Sequence, residues 1–510
     1  MELLDLRPGA INLRRYAAGD GSISTTAFRD ALAQITATKS ELIIPDGTYL
    51  VDDVIDLPEA LTKITAGKNA VIVQTSNKPI FYKAGVSWGS TVNIGSTISV
   101  GARFVSVPSG HGFAVGDWVY LRSQDLTPGV TAGSRVAMWR QINQVSATVI
   151  YWDAAVYRDM TNTVTARAVT LGQRVTFEGG QYTHTDQGNS ETLMEFLNCF
   201  GPDFHGVTIR DSGGPGVRLV NCIGGSWNDS HIYNLTDDID NGHAGYGIVL
   251  SGACRGFCFN SGSVGRVRHA ITTTTASSGE WATRGYSYES TINIHGEPEN
   301  PYYGPVYCYN TSNAALDCHE QGFGIRMVPN VHGCFEGVLL RCSDAFIDGG
   351  QILNSRRNAI RTDYPASNSS GTGTQRFRLS GTHINNVALD GSGGDESACI
   401  SIESAAELRI TAPEFFNYRR YGINATDANS KVILDGGELN GGTASAQTAI
   451  RLASSDNIIR RTLVRNNAIG IREEAGQTGN SWNYVDFRGN TDDESRAPAY
   501  DPGNVGNTTG

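Results

Sequence analysis

Several features that would announce a function are missing from this chain. No apolar run is long enough to cross a bilayer, so no membrane partner is expected. The opening MELLDLRPGA lacks a basic patch followed by an apolar core, and the expectation is a soluble protein made in a cytoplasm without a signal peptide. No basic run is present, the formal charge is −11 and the pI is about 5.4, which argues against nucleic acid as a partner. An acidic polysaccharide stays open, because a local Arg and His patch works inside an acidic protein. The nine cysteines are an odd number, and Cys254 and Cys258 have no second pair at zinc-finger distance. They are expected to be reduced, buried thiols, in keeping with assembly in a reducing cytosol. Proline is scarce, 16 residues against 60 glycines, and charged residues make up only 18% of the chain. With 39% hydrophobic residues the chain is too apolar for disorder, and its glycines follow no collagen triplet.

What is present is a repeat. From about residue 175 a glycine or small polar pair precedes a polar residue and then an apolar one. The sequence reads EGGQY at 178–182, HGVTI at 205–209, NDSHI at 228–232, DGGQI at 348–352, SGTHI at 380–384, TAPEF at 411–415 and DGGEL at 435–439. The marks recur every 23 to 32 residues or so, a period that belongs to solenoids. Between them, runs such as KVILDG and YVDFRGN alternate apolar and polar residues, and no convincing amphipathic helix interrupts them. An antiparallel sandwich would return its strands every eight to twelve residues, so the longer period favours a parallel β-helix of stacked coils.

The stretch INLRRYAAGDGSISTTAFRDALAQITATKSELIIPDGTYLV resembles the opening motif of the pectate-lyase-like right-handed β-helix superfamily. It carries Gly19, Asp20 and Gly21, a helix around Thr26–Ala37, then Pro45, Gly47 and Tyr49. HGFAVGDWVYLRSQD and INQVSATVIYWDAAVYRDM, with RHAITT and LDCHE further on, are similar to phage tailspikes and capsule depolymerases. The resemblance covers most of residues 9–490. It implies an all-β protein, a right-handed parallel β-helix with a short N-terminal capping helix and a small β-subdomain near the start. The boundaries expected are 1–37 for entry and cap, 38–96 for the first coils, 97–172 for the β-subdomain, 173–490 for the main β-helix and 491–510 for a flexible tail. Tailspikes usually carry a longer attachment domain ahead of the cap. Here the expectation is that the module is absent from the sequence, that attachment uses another route, or that the protein is not viral.

The motifs VGRVRHAITTTT and AALDCHEQGFGI supply the candidate chemistry. His243, His269, His295 and His319 follow one another by 26, 26 and 24 residues, about one coil each. If in register they form a column at about 4.8 Å per coil. Alternation along a strand puts Asp317 and His319 on one face and Cys318 on the other, so Asp317 is expected to face solvent and Cys318 the core. Hydrolysis of a glycosidic bond needs two carboxyl groups, for which Asp317 and Glu320 are candidates, with Asp344, Asp348, Glu289 and the Asp237–Asp238–Asp240 cluster as partners. Elimination needs a cation for the uronate, a base and an acid, which Arg268, His269 and His319 could supply with a tyrosine. The plainer alternative is that Asp317 pairs with Arg268 and Glu320 caps a turn.

Trp281, Tyr288 and Tyr302, with His243, His295 and Asp348, are the candidate substrate-binding residues, since sugar rings stack on aromatics while carboxylates bind hydroxyls. No cofactor is expected. Calcium is the one metal the DDIDNGH cluster at 237–243 would suit, though its spacing matches no known calcium loop. The resemblance implies an endo-acting depolymerase of bacterial capsule, exopolysaccharide or O-antigen, with hydrolysis slightly favoured over β-elimination. The alternatives are a non-catalytic glycan-binding tail protein and a bacterial lyase or epimerase. It also implies a homotrimer, a phage baseplate or tail protein as partner, and a place on the virion tail, acting at the bacterial surface.

Overall fold

The computed structural model describes residues 9–85, 87–126, 135–188, 190–274, 299–318, 322–342, 344–363, 375–388, 397–404, 406–442, 448–496 and 508–509. The chain divides into two compact units, Met1–Ser263 with Thr272–Pro301, and Val264–Ile271 with Tyr302–Gly510. In each, short strands fall into three parallel sheets that the chain visits in rotation, the right-handed parallel β-helix that the repeat predicts.

In the first unit, Glu41–Ile44 pairs in parallel with Ala10–Asn12 on one side and Lys63–Ala66 on the other. Thr176–Glu178, Asp203–His205 and Ser226–Asn228 extend the same sheet. Register stacks Phe177, Phe204 and Trp227 inside, with successive ring centroids 5.2 and 5.1 Å apart. The Gly-Asp-Gly and Pro-x-Gly-x-Tyr elements have a steric reason: a Cβ on Gly47 would come within 2.5 Å of the Gly19 carbonyl oxygen. Tyr49 is fully buried and donates its hydroxyl to the Pro45 carbonyl at 2.9 Å.

The helix is Thr25–Leu32, shorter than the sequence suggests. It buries Phe28, Ala31 and Leu32, and Phe28 meets the edges of Tyr49 and Phe81. Past Ala33 come Ile35, Thr36 and Thr38, β-branched residues of low helix propensity, and Thr36 bridges Lys39 to close a turn instead.

An antiparallel sheet follows, with Trp118–Leu126 lying between Arg135–Val145 and Thr165–Thr170. Trp139 stacks on Trp88 and donates its indole N–H to the Asn221 carbonyl at 3.1 Å, seating this sheet on the coils. Beside it, fully buried Arg140 meets Glu299 at 2.6 Å and donates to the carbonyls of Trp139 and Ala155. Burial pushes the Glu299 carboxyl above its ordinary pKa, against the opposing pull of Arg140.

In the second unit the first sheet runs through Tyr302–Tyr303, Ile325–Met327, Asp344–Asp348, Gln375–Ser380 and Ala406–Thr411. The glycine pairs that mark the repeat form the turn from this sheet to the second. Gly349 and Gly350 have φ of +65° and +77°, and a Cβ on Gly350 would sit 2.3 Å from the Pro329 carbonyl oxygen. The turn from the second sheet to the third uses left-handed asparagines, among them Asn354, Asn386, Asn417 and Asn466. Their amides link neighbouring coils: Asn386 donates to Asn354, Asn417 to Asn385 and Asn466 to Asn440, each at 3.0 Å. All nine cysteines are free thiols, eight of them buried.

Candidate active site

The third sheet of the second unit carries Ala314–Cys318, Glu336–Leu340, Ile360–Thr362 and Ala398–Ile402. Register places Asp317 beside Leu339, Leu339 beside Arg361, and Arg361 beside Ser401. Alternation turns these side chains away from Leu316 and Cys318.

Asp317 does not reach solvent, contrary to the expectation; its side chain is 0% exposed. Arg341, one coil on, donates from Nη2 to both Asp317 oxygens at 3.1 and 3.0 Å. His269 covers the other side, Nε2 to Oδ2 at 3.4 Å, and its Nδ1 lies 2.8 Å from the Ala314 carbonyl. The two acceptors favour a charged ring, but burial prevails and lowers the His269 pKa, with Arg268 and Arg341 adding to it. Cys318 is buried as expected. Alternation names the face a side chain leaves by, and says nothing about what lies over that face.

One coil further, Arg361 organises a second cluster. Its Nε pairs with Glu336 at 2.9 Å, and its Nη1 donates to Asp363 at 3.1 Å and to Glu403 at 3.3 Å. Glu336 is 1% exposed, and burial raises its pKa despite Arg361 and Arg357. Asp363 and Glu403 retain 32% and 27% of their side-chain surface. The other Glu403 oxygen accepts from the Ser401 hydroxyl at 3.0 Å. Two accessible carboxylates therefore converge on one guanidinium nitrogen, while the sealed Glu336 holds the Nε of the same arginine. That is the raw material of two-carboxyl acid and base chemistry.

Among the sequence candidates, His269 and Asp317 are brought together, and Arg268 is half-buried on the segment that carries His269. His243 lies in a small antiparallel hairpin opposite Asp238, outside the stacked parallel sheets where a histidine column would need it. His295, His319, Glu320, Trp281 and Tyr288 lie outside the described residues, as does Glu289. Tyr302 and Asp348 line one groove, but on the first sheet and not the third. Among the described residues, no three His, Cys, Asp or Glu side chains are grouped so as to hold a metal ion.

Arg341, Arg361, Asp363 and Glu403 were not singled out from the sequence. Arg341 was within reach: it follows Asp317 by 24 residues, one coil, the same interval that linked the histidines. Glu403 follows Arg361 by 42 residues, which no simple period reveals.

No family model matches the sequence, and no curated protein does. Solved structures do match. The gp54 tailspike of the Acinetobacter baumannii bacteriophage AP22, solved in complex with A. baumannii capsular saccharide, has a TM-score of 0.55 at 13% identity, over 93% of this chain and 77% of that one. The gp49 tailspike of Pseudomonas phage LKA1 gives 0.55 at 14% over 96% and 81%. The gp61 tailspike of Pseudomonas phage phi297 gives 0.57 at 14% over 95% and 80%. Likeness at such identity establishes a shared fold.

Proposed function

We propose that this protein is a tailspike-like depolymerase that binds a bacterial surface polysaccharide (capsule, exopolysaccharide or O-antigen) and cuts within the chain by hydrolysis. The observation that carries the reading is the pair Asp363 and Glu403, both accessible and both held by Nη1 of Arg361. In glycosidic hydrolysis one carboxyl protonates the leaving oxygen while the other acts as base or nucleophile. Elimination is the weaker alternative, because His269, one of the two histidines it would recruit as base, is only 1% exposed. A capsular saccharide bound to the AP22 tailspike supports the polymer class. Assembly as a homotrimer and a place on a phage tail, engaged with a baseplate or tail protein, belong to the same proposal.

The test is incubation with a panel of bacterial capsular and O-antigen polysaccharides, followed by product masses. Falling viscosity with oligosaccharides that have gained one water is expected. Products lighter by a water, with new ultraviolet absorbance, would make the enzyme a lyase. Binding without cleavage would make it an adhesin. Glu320→Gln belongs in the same assay, since a loss equal to that of Asp363→Asn would move the acid to Glu320.

A further inference from the structure

The first sheet of the second unit presents a second charged surface. Register aligns Tyr302, Arg326, Phe346, Arg378 and Arg409 on successive strands, one residue per coil. Strand spacing puts Arg326 and Arg378 roughly 10 Å apart. The five side chains line a groove of about 710 Å³, with Asp348 on its wall.

Charge makes this groove unusual for the chain. The formal net charge of the protein is −11, yet the lining holds three arginines and one acidic residue. Arg409 is engaged by Glu407 at 2.6 Å. Arg378 lies over the Phe346 ring at 5.0 Å, which fixes its plane but leaves its donors to the groove. Arg326 is exposed, and neither it nor Arg378 has a carboxylate within ion-pair distance among the described residues. Asp344, at the far end of the same strand as Phe346, is half-buried near Arg376 and Arg378 and is not part of the lining.

We infer that this groove binds the carboxylate groups of an acidic polysaccharide, gripping uronate-type residues along an extended chain at a surface separate from the Arg361 cluster. Guanidinium matches carboxylate with two parallel donors, and repeats at coil spacing suit a ligand that is itself a repeating chain. Tyr302 offers a face for a sugar ring, and Asp348 accepts from hydroxyls. Nucleic acid would also present regular anions, but among the described residues the groove has only two arginines without a carboxylate partner, too few to follow a phosphate on every nucleotide. The inference rests on the polysaccharide reading and adds to it the charge of the polymer and a second place of contact.

The experiment uses the full chain and purified uronate-containing capsular polysaccharides, each beside its carboxyl-reduced form, in which the acid has become a primary alcohol. Binding is measured at low and high salt, and the oligomeric state by light scattering. Carboxyl reduction and the double variant Arg326→Ala/Arg378→Ala should each weaken binding by about tenfold or more, the scale of a charge-assisted hydrogen bond. Equal binding of native and reduced polymers, or of variant and parent, overturns the inference. If the reduced polymer is still cut, the depolymerase reading stands without it. A double variant that changes oligomeric state while binding the polymer normally also overturns it, since the groove would then be a face between copies. Failure to bind or cut any polymer removes both readings.

Discussion

Arg140 and Arg361 each pair with a buried glutamate, yet they are used in opposite ways. Arg140 is 0% exposed, its Glu299 partner is 6% exposed, and neighbouring carbonyls take up further donors. Nothing from outside can reach that pair, whose effect is to fasten the antiparallel sheet to a coil. Arg361 also has a sealed partner, Glu336, but its outer nitrogen holds two carboxylates that still meet solvent. The ion pairs are alike in chemistry; the surface left on the acid separates a fastener from the proposed site.

The largest effect should come from breaking the fastener. Glu299→Ala strands a buried guanidinium and should cost about 3–5 kcal/mol, seen as a lower melting temperature. The double change Arg140→Met/Glu299→Leu should recover most of that loss, because packed apolar groups replace the pair. An unchanged melt in the single variant would erase the contrast.

Next, Asp363→Asn and Glu403→Gln should each reduce depolymerisation at least about a hundredfold, the scale expected for loss of an acid or base. Their melts should move by no more than about 1 kcal/mol, as for partly exposed ion pairs. If melting and activity fall together, the Arg361 cluster is a second fastener.

Asp317→Asn sharpens the comparison from the sealed side of the same sheet. It weakens the contact with Arg341 and should cost about 1–3 kcal/mol, with activity falling only as the folded fraction falls. Activity lost ahead of stability would bring Asp317 back into the chemistry.

The smallest effect concerns pH. The His269 pKa is lowered in the folded state, so its contribution to stability is present above the ordinary value near 6.5 and is lost as pH falls through the folded value. Melting temperature should therefore decline below about pH 6.5, and His269→Asn should flatten that decline. An identical slope in the variant would assign the acid sensitivity to other groups.

The coils were legible in the sequence because their turns need special backbone: left-handed glycines in the DGG marks, and a close approach at Gly47 that excludes any side chain. Such demands write themselves into residue identity. The site was half legible. The sequence singles out both Asp317 and His269, but the histidine spacing sets their stretches two coils, roughly 10 Å, apart. The strands that follow His269 and carry Asp317 are instead direct neighbours, and the side chains meet at 3.4 Å. Their burial was not foreseen, because it depends on Arg341 folding over the strand face. Asp363 and Glu403 escaped because the long chain segment between them breaks the period. The superfamily's opening motif carries the helix on to Ala37, but it ends at Leu32, short of Ile35 and Thr36, where β-branched residues favour a turn.

The asparagine turns carry one more consequence. Asn386, Asn417 and Asn466 each donate an amide hydrogen to an asparagine of the preceding coil. Neighbour-only bonding makes the stack modular, with stability close to a sum over coils and their interfaces. A whole coil can then be duplicated or lost at these turns without redesigning its neighbours. A lineage can thereby change how much surface it offers a polymer while the charged clusters on individual coils stay as they are.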